Sequence, residues 1–111
     1  MLILDAEIRF DLPSENPFAS SRDIANINPI RPAINFGNNY LSSGTIIIDK
    51  KIKAIVRGQI YRAVIEMPLI ESEAYEFIKD YLKIDNTFLL QAGSSVRGKG
   101  KILDFVYEGE K

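Results

Sequence analysis

Arg97, Lys99 and Lys101 stand at alternate positions near the end of the chain. In one β-strand a period of two puts all three on a single face. Such a row can hold phosphate groups by charge and hydrogen bonding, including the backbone of an RNA. They are the candidate RNA-binding residues, although a solvated strand face beside Glu108 and Glu110 reads the same way. Lys50, Lys51 and Lys53 form a second short basic run, which a polar hairpin explains. The carboxylates are less directed. Asp5, Glu7 and Asp11 share one alternating face. Glu71, Glu73 and Glu76 open a helical pattern, where negative charge meets free N–H groups. Ser94 and Ser95 have no histidine to activate them.

The 111 residues include no histidine and no cysteine. Imidazole acid–base catalysis, thiolate nucleophiles, disulfides and the common zinc ligand sets are therefore out of reach. The stretch Gly93-Ser-Ser-Val-Arg-Gly98-Lys-Gly100 has glycines and cations, but not the Gly-x-x-x-x-Gly-Lys-Ser/Thr spacing of a phosphate cradle. It also falls between strands rather than before a helix. The expectation is a chain that is not an enzyme, uses no cofactor or metal, and does not bind GTP. Fourteen basic residues face fifteen acidic ones, for a net charge of -1. That balance argues against general affinity for nucleic acid and leaves room only for a local patch. No apolar run approaches the roughly 20 residues of a membrane span. Met1 leads into Leu2-Ile3-Leu4 without a basic n-region or a cleavage pattern, so a cytoplasmic protein is expected.

The elements that hold these residues are mostly strands. The length fits one domain, 1–111, and 46% apolar residues supply its core. Ala6, Ile8 and Phe10 alternate with charged neighbours, which predicts a half-buried strand over Leu2 to Leu12. From Pro13 to Pro29 the pattern fails, and a long connection is expected. Within it Phe18, Ile24 and Ile27 could pack back or reach a partner, while Asn35, Asn38 and Asn39 could satisfy its backbone. Short strands follow near 31–36, 45–48, 52–56 and 60–65, with Gly58 at a turn. Ser72 is placed to cap a helix over 72–83, in which Ala74, Phe77, Ile78, Tyr81 and Leu82 recur at helical spacing. Its polar face carries Glu76, Lys79 and Lys83. Two last strands enclose the turn glycines Gly93, Gly98 and Gly100, and residues 108–111 are expected to fray.

In order and spacing these pieces resemble the C-terminal β-barrel domain, domain III, of translation elongation factor Tu. Ala6-Glu-Ile8 resembles the family's first barrel strand, and Ile30-Arg-Pro32 its Tyr-Arg-Pro segment. Ser43-Gly-Thr-Ile46 resembles a strand with a Thr-Gly pair. Arg57-Gly58 stands where Pro-Gly is usual, and Glu66-Met-Pro68 stands near a His-Pro turn. Phe88, Gly93, Gly98 and Gly100 match the closing pattern Phe-x-Ile-Arg-Glu-Gly-Gly-Arg-Thr-Val-Gly-x-Gly. Gln91, Ser94 and Ser95 depart from it, and the 72–83 helix expands a short link. The resemblance implies an all-β fold, a closed six-stranded antiparallel barrel with one inserted helix. It also implies the surfaces by which that barrel meets a GTPase domain, the T arm of aminoacyl-tRNA and an exchange factor. The lost arginine at Ser95 weakens the RNA contact.

The functional expectation is a non-catalytic interaction module that binds a protein partner, with Phe18, Glu76, Lys79 and Lys83 as contact candidates. RNA-backbone binding through Arg97, Lys99 and Lys101 is the alternative. An immunity or antitoxin protein occupying a toxin surface is a further version.

Overall fold

The computed structural model describes residues 1–17, 19, 22–27 and 29–109. The chain forms β1 (Leu2–Phe10), β2 (Ile24–Ala25), β3 (Ala33–Asn35), β4 (Leu41–Ser43), β5 (Thr45–Ile47), β6 (Ala54–Ile55) and β7 (Ile60–Met67). Helix α1 (Ser72–Ile78) and a 3₁₀ turn (Lys79–Tyr81) then precede β8 (Thr87–Ala92) and β9 (Ser95–Tyr107). β1 is central because its alternation is strict. Leu2, Leu4, Ala6, Ile8 and Phe10 are buried, while the residues between them are only partly so. It pairs antiparallel with β7 on one side and β9 on the other.

The closed six-stranded barrel is not what forms. One seven-stranded antiparallel sheet runs β4-β3-β8-β9-β1-β7-β5, and β2 and β6 make a separate two-stranded ladder. The large sheet is a half-barrel that no ladder closes, so it departs from the closed elongation-factor barrel implied by the resemblance. Its end strands β4 and β5 follow one another in the chain with only Gly44 between them. They meet the 30–32 segment through a single bridge, Ile30 to Ile46, and one bond from the Gly44 N–H to the Pro32 carbonyl (3.0 Å). Pro32 explains the weak seam. It has no N–H to return to Gly44, so pairing there is one-sided. Gly44 is also held by packing: a Cβ at this position would lie 2.7 Å from Ile65 Cγ2.

The helix is shorter than the 72–83 reading. It ends at Ile78 and tightens into the 3₁₀ turn. Glu71, not Ser72, occupies the N-cap position, and no side chain caps it. Ile70, Ala74, Ile78 and Leu82 are buried and cover one end of the core. Phe77 and Tyr81 fall on the flank of this narrow stripe and remain exposed.

The 13–29 connection is pinned in its described parts. Asn26 Nδ2 donates to the Ile52 carbonyl (2.8 Å), and Asn16 Nδ2 to the Val96 carbonyl (2.6 Å). These tethers come from within the connection, not from Asn35, Asn38 or Asn39. At the end of the chain, the Glu108 N–H bonds the Met1 carbonyl (2.9 Å). Glu110 and Lys111 lie outside the described residues.

Candidate docking site beside the helix

The turn after β7 separates its apolar residues sharply. The Ile70 N–H bonds back to the Met67 carbonyl, which buries Met67 and Ile70 and turns Leu69 outward, 71% exposed. Pro68 favours such a turn by fixing its own φ. Across from it, the loop after β3 is tied to the helix. Asn38 Nδ2 donates to the Phe77 carbonyl (3.0 Å), and Asn38 Oδ1 accepts the Tyr40 N–H (3.1 Å). Tyr40 is thereby laid on Phe77, with ring centroids 5.8 Å apart and planes 13° from parallel.

Phe77 remains 66% exposed on its other side. Tyr40, Leu69, Ala74 and Phe77, with Glu71 and Glu73, line an open groove of about 380 Å³. Glu71 meets the Met1 amino group at 2.9 Å, which leaves Glu73 as the exposed carboxylate of the groove. The site is apolar on its floor and acidic at one rim.

The candidate protein-binding residues divide. Glu76 and Lys79 pair with each other at 2.6 Å beside the groove. Lys79 donates this bond to the Glu76 carboxylate, which holds its ammonium above the usual lysine range. Lys83 is exposed just beyond the 3₁₀ turn. Phe18 lies outside the described residues. The sequence pattern did not single out Leu69, and Phe77 was assigned to the buried face. One signal was present: five apolar residues over positions 74–82 are more than a short helix can bury on one stripe.

No protein-family model matches the chain, and no curated protein matches it.

The basic row lies on the outer face of β9. Lys99 and Lys101 point away from the core there, while Gly98 and Gly100, which alternate with them, are buried. The strict alternation breaks at Arg97, where the β8–β9 register shifts. Lys101 lies 3.8 Å from Glu7 and 3.9 Å from Asp85, so carboxylates of the same chain already share its charge. The four glycines act in two ways. Gly58 and Gly93 adopt positive φ (85° and 60°) in turns, whereas Gly98 and Gly100 sit inside β9 and allow close approach. Among the described residues, no three carboxylates converge as a metal-binding group, and no helix is long and apolar enough to cross a membrane.

Proposed function

We propose that this chain is a non-catalytic interaction module whose protein partner docks on the Tyr40–Leu69–Phe77 surface. The observation that carries the reading is the exposed Phe77 ring, backed by Tyr40 and standing beside an exposed Leu69. Large apolar side chains left mostly exposed add little to fold stability but supply the buried anchor of an interface. The half-barrel holds them on rigid elements, since Phe77 is tied through its carbonyl to Asn38. Glu73 at the rim favours a partner that brings a basic group beside its apolar side chain. Glu76, Lys79 and Lys83 then form the polar surround.

The test is co-purification from the native host, before and after nuclease treatment, with wild type and with Leu69→Ser/Phe77→Ser. A protein partner should survive nuclease and be lost from the double variant, whose thermal unfolding should match wild type. Retention of the partner by the variant would reject this surface. Loss of every specific partner on nuclease treatment would favour RNA contact through Lys99 and its neighbours.

A further inference from the structure

We infer that the outer face of β7, β1 and β9 is an interface between two copies of this chain. The sheet register sorts that face into an acidic half and a basic half. At one end Ile3 stands opposite Glu66 and Val106, and Asp5 opposite Val64 and Asp104. At the other end Glu7 stands opposite Arg62 and Lys101, and Arg9 opposite Ile60 and Lys99. Both halves also expose apolar side chains. Val106 is 55% exposed at the acidic end and Ile60 66% at the basic end. Ile47 and Val64 join Val106 in an open groove of about 600 Å³, whose rim carries Asp5, Asp49 and Asp104 against one cation, Arg62.

The acidic end contains a specific conflict. Asp5 and Asp104 are direct cross-strand partners, an arrangement of like charges that destabilises a sheet. Arg62 relieves only one of them, holding Asp5 through two bonds (2.6 and 3.1 Å). Among the described residues, Asp104 accepts a bond only from the N–H of Phe105, its own neighbour. Among the described contacts, no cation of the same chain reaches it.

A second copy supplies what is missing. A two-fold axis lying across the strands reverses their direction between the copies. The row of Asp104 then faces the row of Lys101, and the row of Glu66 faces that of Lys99. Each contact occurs twice, as an isologous interface requires. Strand then lies on like strand, so Val64 of one copy covers the stem of Arg62 of the other, and Val106 covers the stem of Lys99. The sheet face is separate from the Phe77 surface, so both can be occupied together.

Sedimentation equilibrium over a concentration series tests the inference without any variant. Wild type should dimerise, and added salt should shift it toward monomer as the charges are screened. Glu66→Lys/Asp104→Lys and Lys99→Glu/Lys101→Glu should each be monomeric while keeping the wild-type far-ultraviolet circular dichroism of a folded sheet. Mixing the two variants should restore dimer, because a mainly basic face then meets a mainly acidic one. Phe77→Ser should leave dimerisation unchanged. A wild type that stays monomeric at its highest soluble concentration would overturn the proposal. So would a dimer indifferent to salt, or variants that do not recover on mixing.

Discussion

Gly100 lies beneath the ring of Phe88, its direct partner across β8 and β9, and a Cβ at position 100 would run into the ring atoms. The glycine is there to admit an aromatic ring rather than to turn the chain. Phe88 is buried and tilts against Phe36 at 5.9 Å, so the ring has no easy direction in which to yield. Gly98, two residues earlier, has the same duty toward backbone: a Cβ would stand 2.5 Å from the Arg9 carbonyl oxygen.

Three glycine substitutions should therefore separate by mechanism. Gly100→Ala overpacks the core and should cost about 1–3 kcal/mol. Gly93→Ala meets nothing within 4 Å, but forces a side chain onto a φ of 60°. It should cost roughly 1–2 kcal/mol, and Gly93→Asn should recover most of that. Urea unfolding of the three variants decides the point. A Gly100→Ala variant as stable as wild type would mean the ring is free to move.

Asn35 and Gln91 are the buried polar pair of the sheet. Asn35 Nδ2 donates to Gln91 Oε1 at 2.8 Å. Asn35 Oδ1 accepts the Gly37 N–H, and Gln91 Nε2 donates to the Gly93 carbonyl, so one chain of bonds joins two turns. Either alanine substitution strands the partner amide and should cost about 1–3 kcal/mol. The double variant should cost clearly less than the sum. Simple additivity in a double-mutant cycle would show that the two amides act separately.

Much of this was legible in the residues. β1, the β8–β9 hairpin and the helix start all follow from periodicity, because each has one buried face. The seam was not legible, since it depends on which residue lies opposite Pro32, and register across a long connection leaves no local signal. The width of the buried helix stripe was also hidden. Whether Phe77 or Ile78 faces inward depends on where the 67–70 turn sets the helix against the sheet. The row Lys99–Lys101 was visible, but Glu7 and Asp85, which temper it, come from distant segments.

The seam should open first. Gly44 and Ile46 are held to the 30–32 segment by one bond each, to Pro32 and Ile30, whereas β1 has ladders on both sides. Local stability follows such differences. In native-state hydrogen exchange, the Gly44 and Ile46 amides should exchange well before those of Ala6 and Ile8. Equal protection at the four positions would show that the seam opens only with the whole sheet.

Asp5 and Arg62 give the fold a pH dependence whose sign can be stated. The hydrogen bond from Arg62 holds the Asp5 carboxyl below the usual aspartate range. A carboxylate depressed in the folded state contributes stability above its unfolded pKa, about 4. That contribution is lost as pH falls through the lower folded value. Arg62→Ala also leaves Asp5 facing Asp104 with no cation between them. The variant should therefore be less stable than wild type at pH 7, and the gap should narrow as acid protonates Asp5. Because the pair is exposed, added salt should narrow the gap at pH 7 as well. Urea midpoints at pH 7, 5 and 3, taken where the protein is monomeric, are the measurement. A gap that stays constant with pH would assign the loss to packing of the arginine stem rather than to charge.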